Sequence, residues 1–254
     1  MTSNISVGCQ PLTYKTLFDT IRVHVHKNGL VPCQLSFDSS NVKSTNFLNA
    51  TYDLHSTNTL IRELGLPVFI HSTCCFNPSN PIIISQIQND LTLVSSIGGI
   101  GVVIHVGKSC DRSTPEQALD IMKTTILQCI QHATTQTSLI LETPAGQGTE
   151  LCSTFEEFVS FYMSFTSDDR KRFKVCIDTQ HVFARGYDPF VYIQTFIQTC
   201  GREALACIHL NDSASLCGLR LDRHAGIGCG NIGLQKLIEI AQYASQLSIP
   251  LINE

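Results

Sequence analysis

Short apolar runs, rich in β-branched residues, recur along the chain and are separated by longer segments with helical spacing. They occupy residues 5–9, 33–37, 67–72, 101–106, 138–143, 173–179, 204–211 and 249–253. Strands that alternate with helices form a parallel sheet, because a parallel crossover needs a long connection that is usually a helix. The pattern therefore predicts an α/β protein with eight parallel strands.

Two of the intervening segments carry clear helix boundaries. Residues 13–29 have helical spacing and end at Gly29, a residue that commonly terminates helices. Residues 114–133 begin after Ser113 or Thr114, either of which can cap a helix, and Pro115 suits the first turn. Both segments are predicted to be helices between consecutive strands.

The length of 254 residues and the even composition favour one domain over residues 1–254. Eight strands alternating with helices suggest a closed (β/α)₈ (TIM) barrel, whereas a doubly wound open sheet normally has fewer strands. The printed sequence stops directly after the eighth strand. We therefore expect the barrel to lack its last helix, as in a truncated product or a fragment.

Histidines and carboxylates occur at the ends of successive predicted strands, where a barrel assembles its active site. The nine candidates are His71, His105, Glu142, Asp178, His181, His209, Asp222, His224 and Glu254. Individually, His71 could be a hydrogen-bonded core residue, Asp178 a helix cap, and Asp222 part of a surface ion pair. Their convergence on one end of one barrel favours a shared site.

A shared site with four carboxylates and five imidazoles predicts divalent cations, which would offset the repulsion between the carboxylates. Zn²⁺ accepts both imidazole nitrogen and carboxylate oxygen. Nine ligands exceed the three or four that one zinc ion uses, so two or three ions are implied. No cysteine falls at these positions, which favours open hydrolytic sites over closed structural ones.

The remaining composition bears on partners and location. The formal net charge of −4 argues weakly against nucleic acid, although bound divalent cations would change that balance. The twelve cysteines include no Cys-x-x-Cys pair, which favours reduced thiols. With neither a basic–apolar leader at the first residues nor an apolar run of about 18 residues, the sequence predicts a soluble, intracellular protein with no membrane partner.

Several segments resemble the endonuclease IV family of apurinic/apyrimidinic (AP) endonucleases, trinuclear zinc TIM barrels of base-excision repair. They are "LETPAGQG", "VCIDTQHVFARGYD", "IHLNDS", "GLRLDRHAGIGCGNIG" and "IPLINE". The resemblance runs from about Pro67 to the end of the chain.

The resemblance implies a role for each of the nine candidates. His71 and His105 would hold a first zinc ion, and Glu142 would bridge it to a second. Asp178, His209 and Glu254 would complete the second site. The third would use His181, Asp222 and His224. Three Zn²⁺ would turn the formal net charge of −4 into +2.

The resemblance also implies an activity and a partner. The reaction would be hydrolysis of the phosphodiester 5′ to an abasic site in double-stranded DNA, leaving a 3′-hydroxyl, with Glu142 as the catalytic bridging residue and the chain acting as a monomer. Arg220, Arg223 and Lys43 are the candidate DNA contacts, although Arg220 could equally be a surface residue paired with Asp212 or Asp222.

The sequence departs from the family in the residues that wedge into DNA, because Cys74 and Cys75 stand where the family has an aromatic and an aliphatic residue. Two further functions stay open. One is a xylose-isomerase-like sugar isomerase or epimerase, which shares the barrel but uses fewer metal ions. The other is a non-catalytic metal- or DNA-binding protein.

Overall fold

The computed structural model describes residues 5–37, 45–72, 77–110 and 113–254. Within these residues, eight parallel strands close a barrel: β1 (Val7–Cys9), β2 (Cys33–Ser36), β3 (Val68–His71), β4 (Gly101–Ile104), β5 (Ser138–Glu142), β6 (Phe173–Asp178), β7 (Leu205–His209) and β10 (Leu251–Asn253). Their spatial order around the barrel is β1, β10, β7, β6, β5, β4, β3, β2. Each of the eight predicted strands is confirmed, with ends within two residues of the prediction.

Helices connect the strands along the outside of the barrel. They are α1 (Leu17–Asn28), α2 (Thr45–Leu48), α3 (Thr51–Leu64), α4 (Ile84–Ser96), α5 (Pro115–Cys129), α6 (Phe155–Met163), α7 (Thr179–Arg185), α8 (Pro189–Cys200) and α9 (Leu234–Gln246).

Both predicted helix boundaries are confirmed. Gly29 follows α1 with φ +79°. Thr114 caps α5 in a capping box with Gln117, and Pro115 occupies the first turn.

A short antiparallel pair of strands, absent from the sequence prediction, folds the loop after β7 back on itself. Strands β8 (Asp212–Ser213) and β9 (His224–Ala225) pair with Ser213 opposite His224. This pairing returns a distant part of the loop to the carboxyl end of the barrel.

The barrel interior is packed with side chains and leaves the carboxyl end for polar groups. The residues that fill it are Phe69, Val103, Ile140, Cys176, Cys207 and Ile252, all fully buried. A second, larger core lies between the strands and the surrounding helices. Of the helices that the structure describes, none is long and apolar enough to cross a membrane.

Candidate metal centre

All nine predicted residues lie at the carboxyl end of the barrel or in the loops that cover it. His71, Glu142, Asp178 and His209 are the last residues of β3, β5, β6 and β7. His105 and Glu254 directly follow β4 and β10, His181 lies in the first turn of α7, and the β8–β9 hairpin carries Asp222 and His224. Because parallel strands end at the same rim, the fold brings these side chains together.

Glu142 lies at the centre of the group, almost completely buried at 1% exposure. Its Oε2 is 3.2 Å from Nε2 of His71 and 3.6 Å from Nε2 of His105. Its Oε1 is 2.9 Å from Nδ1 of His209 and 3.5 Å from Nδ1 of His181. Each carboxylate oxygen thus faces a different pair of imidazoles, an arrangement suited to a bridging ligand.

Asp178 has two roles in the structure. Its Oδ1 accepts the backbone N–H groups of Gln180 at 2.6 Å and His181 at 3.0 Å, so it caps α7 as the local sequence suggests. Its Oδ2 lies 3.8 Å from Nδ1 of His209 and 3.8 Å from Nε2 of His224. The same carboxylate therefore begins the helix and faces two imidazoles of the centre.

Asp222 lies between two imidazoles at the edge of the group. Its Oδ1 is 3.3 Å from Nε2 of His181 and 3.4 Å from Nε2 of His224. The backbone N–H of Asp222 donates to Oε1 of Gln147, which links the hairpin to the loop after β5.

The side chains form overlapping groups whose potential ligand atoms lie within 4.8 Å of one another. These groups are His71, Glu142, His209 and Glu254; His105, Glu142 and His181; and Asp178, His181 and His224. The family resemblance implies other groupings, with His71 beside His105 and Asp222 beside His224. The structure brings all nine residues into one network, and the assignment of each to an ion remains a prediction.

Two cysteines of the barrel interior lie next to this centre, which the sequence did not indicate. The thiols of Cys176 and Cys207 lie within 4.8 Å of a ring nitrogen of His209. Burial, with a hydrogen bond to Cys207, raises the pKa of Cys176 well above its ordinary value. A thiol that stays protonated is a poor metal ligand, which argues against Cys176 as a ligand. Both cysteines are fully buried among the side chains that fill the barrel, so we interpret them as the apolar floor of the centre.

Three imidazoles each donate one ring N–H to an oxygen outside the carboxylate cluster. For His181 this nitrogen, Nδ1, also lies 3.5 Å from Glu142, and its Nε2 faces Asp222. Nδ1 of His71 donates to the carbonyl of Ser72 at 2.7 Å, and Nδ1 of His181 donates to that of Thr143 at 2.8 Å. For His209 the outer contact is Nε2, which donates to Oε1 of Gln34 at 2.9 Å. These outer acceptors determine which nitrogen is available to a cation.

Gln34 is a site residue that the sequence did not reveal. It is fully buried in β2, and its Nε2 donates to Oε1 of Glu254 at 2.7 Å. The same amide therefore links His209 to Glu254. Gln10 donates to the same carboxylate oxygen at 2.7 Å from the exposed side. One signal in the sequence could have identified Gln34: it is a polar residue within the apolar run of a strand that is expected to be buried.

The residues after His209 orient ligands and shape the loop. Asn211 donates to Oδ2 of Asp178 at 2.7 Å. Asp212, also fully buried, accepts the backbone N–H groups of Gly228, Gly230 and Ile232, each at 3.0 Å. A Cβ at Gly230 would lie 2.5 Å from Oδ1 of Asp212, so only glycine permits this close approach.

The predicted DNA-contacting residues are only partly described. Arg220 and Arg223 are exposed at the rim, and Arg220 has a left-handed backbone with φ +56°. Within the described residues, neither forms an ion pair with Asp212 or Asp222, so the alternative surface pairing of Arg220 is not observed. Lys43, Cys74 and Cys75 lie outside the described residues.

The pKa shifts of the clustered carboxylates and histidines predict how the stability of the protein without metal depends on pH. Burial opposes ionisation of Glu142, but neighbouring histidines, above all His105, hold its pKa well below the ordinary value. Burial also opposes ionisation of Glu254, but His209 above all holds its pKa at about 2. Burial likewise opposes protonation of His209 and His181, but nearby carboxylates raise both pKa values well above normal.

The carboxylate contribution is present above an unfolded-state pKa of about 4.3 and is lost as pH falls through the folded values. The histidine contribution is present below about pH 6.5 and is lost as pH rises through the folded values. We expect the melting temperature of EDTA-treated protein to be highest between these limits in differential scanning fluorimetry. A steady increase between about pH 6.5 and 8.5 would contradict this prediction.

Comparison with known proteins identifies the family of this chain. The family model described as "Xylose isomerase-like TIM barrel" matches residues 32–244. A Mesomycoplasma hyopneumoniae protein named "Probable endonuclease 4" is 33% identical over 225 residues, covering 84% of this chain and 77% of that protein. The chain belongs to the endonuclease IV family.

Other family members match over shorter stretches. A protein of Acanthamoeba polyphaga mimivirus that carries the name endonuclease 4 is 34% identical over 181 residues, or 67% of this chain. That match spans 58% of the mimivirus protein, and a match of 34% identity spans 61% of the "Probable endonuclease 4" of Chlorobium luteolum. The chain thus spans less than two thirds of these two endonuclease IV relatives.

Solved structures share the fold. The crystal structure of endonuclease IV from Thermus thermophilus superposes with a TM-score of 0.82 at 23% identity, covering 98% of this chain and 91% of that one. A D-tagatose 3-epimerase-like protein superposes with a TM-score of 0.74 at 15% identity, covering 98% and 89%. At such identities the likeness shows the barrel alone.

Proposed function

We propose that this endonuclease IV family member is a zinc-dependent AP endonuclease that hydrolyses the phosphodiester 5′ to an abasic site in duplex DNA and leaves a 3′-hydroxyl. The observation that carries the proposal is Glu142, buried among four imidazoles at the open end of the barrel. The names of the curated relatives support the same reaction class.

The donor set fits zinc. Imidazole nitrogens and carboxylate oxygens are ordinary zinc ligands, and the inner nitrogens of His71, His181 and His209 all face carboxylates. A cation bound at these inner nitrogens would leave the outer hydrogen bond of each imidazole in place.

The proposed ligand sets follow the family resemblance. His71 and His105 would share the first ion with Glu142; Glu142, Asp178, His209 and Glu254 would hold the second; and His181, Asp222 and His224 would hold the third. Zinc ions held there would supply Lewis acidity toward a phosphate group and would activate water near neutral pH.

The protein's own side chains would provide orientation. Glu142 presents separate oxygens to two pairs of imidazoles. Asn211 and Gln34 restrain Asp178 and Glu254 through direct hydrogen bonds. Arg220 and Arg223 are exposed at the rim of the same face, where they would contact the DNA backbone.

The proposal is tested by measuring metal content and abasic nicking on one purified sample. We expect about three zinc ions per chain by inductively coupled plasma mass spectrometry and cleavage of a duplex that contains a tetrahydrofuran abasic analogue. Prolonged EDTA treatment should abolish cleavage, and added Zn²⁺ should restore it.

Two results would overturn the proposal. Zinc binding without any nicking would favour a non-catalytic metal- or DNA-binding protein. Turnover of a ketose or aldose by a sample with fewer ions would favour a sugar isomerase. Substituting His181, Asp222 and His224 separates the nuclease from the sugar isomerase. The substitution should abolish nicking by a three-metal nuclease but not turnover by a two-metal sugar enzyme, which would not need a third ion.

A further inference from the structure

Arg185 is a half-buried arginine for which the described residues supply no hydrogen-bond partner. Its Nε is buried, and no hydrogen bond or ion pair of its guanidinium group is found in the described part of the chain. By contrast, Arg202 donates to three backbone carbonyls, those of Leu205, Leu247 and Ser248. A buried donor without an acceptor is unfavourable and rare, so the guanidinium of Arg185 is suited to an acceptor supplied by a ligand.

The position of Arg185 connects it to the metal centre. Arg185 is the last residue of α7 and lies four residues after His181, so both side chains lie on the same side of this helix. Its side-chain stem packs over Gly146 in the loop after β5, where an added Cβ would lie 2.6 Å from Cδ of Arg185. The adjacent Gln147 of that loop accepts the backbone N–H of Asp222.

Arg220 approaches the same glycine. A Cβ added to Gly146 would lie 3.7 Å from Cγ of Arg220. The backbone N–H of Arg220 donates to the carbonyl of Ala184 at 2.8 Å, and its left-handed backbone places the side chain at this point in the loop. Two arginines without carboxylate partners in the described ranges thus meet at one edge of the metal centre.

We propose that Arg185, together with Arg220, binds a non-reacting phosphate of the DNA strand next to the phosphate that is cleaved. The proposal rests on the proposed function and adds a residue that the family resemblance does not assign. Guanidinium groups match phosphate in geometry and charge and can donate two parallel hydrogen bonds. Because Arg185 is only half-buried, the accessible terminal N–H groups of its guanidinium would donate to the phosphate, while the buried Nε fixes the orientation of the group.

The test measures the affinity of zinc-loaded protein for an abasic-analogue duplex by fluorescence anisotropy at several salt concentrations. One lost phosphate contact should reduce the slope of log affinity against log salt by about 0.9. The ratio of the Kd of Arg185→Met to the wild-type Kd should therefore fall roughly threefold between about 50 and 200 mM salt. Arg185→Lys should retain most of the slope. Arg62→Met, at an exposed arginine on α3, is the matched control and should leave the slope unchanged.

A second measurement identifies the phosphate. Replacing single phosphates near the lesion by neutral methylphosphonates should abolish the effect of Arg185→Met on affinity at one position only. A wild-type salt slope for Arg185→Met, or equal effects at every methylphosphonate position, would overturn the inference. Failure of the wild-type protein to cleave the duplex would instead overturn the proposed function.

Discussion

Glu142→Gln should lower nicking of an abasic duplex by more than about 100-fold, because even a residue that only supports a metal ligand commonly contributes about 10- to 100-fold. The amide keeps the shape of the carboxylate but loses the negative charge that faces four imidazoles. It can also present only one oxygen, so it cannot serve two ions at once. The measurement is single-turnover cleavage at saturating protein, together with zinc content.

The matched control is Glu63→Gln on the exposed surface of α3, which should leave both cleavage and zinc content unchanged. Circular dichroism should show that Glu142→Gln retains the barrel, because the strands on both sides of β5 pair through their backbones. If Glu142→Gln cleaves at the wild-type rate with its zinc retained, Glu142 is not the bridging residue.

Gln34→Met should weaken zinc binding by about 10- to 100-fold, the range typical of residues that orient metal ligands. The change preserves side-chain length but removes the acceptor of His209 and the donor to Glu254. His209 then loses the contact that holds its N–H at Nε2 and leaves Nδ1 for a cation. The measurement is zinc competition with a chromophoric chelator, supported by the visible spectrum of the cobalt-substituted protein.

Gln10→Met provides the control for Gln34→Met, because Gln10 donates to the same oxygen of Glu254 but is exposed. Water can replace its hydrogen bond, so we expect a smaller loss of zinc affinity than for the buried Gln34. Equal zinc affinities for Gln34→Met and the wild-type protein would rule out a positioning role for Gln34. A fall in melting temperature alone would show that Gln34 only supports the fold.

Much of the fold and the membership of the site could be predicted because both depend on local patterns. The strands follow from short β-branched runs, and α5 follows from Thr114 and Pro115 at its start. Once strands are parallel in a barrel, residues at their carboxyl ends must approach one another. His71, Glu142 and His209 could therefore be placed in one site from their positions in the chain.

The contacts within the site could not be predicted in the same way. Gln34 reaches His209 across 175 residues of sequence and Glu254 across 220, and no local pattern specifies such a pair. The β8–β9 hairpin depends on short strands that lack a distinctive apolar pattern. Asp212 gathers distant backbone N–H groups only after the loop has closed around it.

The barrel, the alternation of its strands and helices, and the chemical types at the carboxyl rim could be read from the sequence, since they follow from periodicity and connectivity. The folded structure was needed to show which imidazole nitrogen faces the cluster, which oxygen of Glu142 lies near each histidine, and that Arg185 has no hydrogen-bond partner among the described residues. These properties depend on distances of a few ångströms between side chains far apart in the chain. Hydrogen bonding and burial at that scale arise only when the barrel has closed.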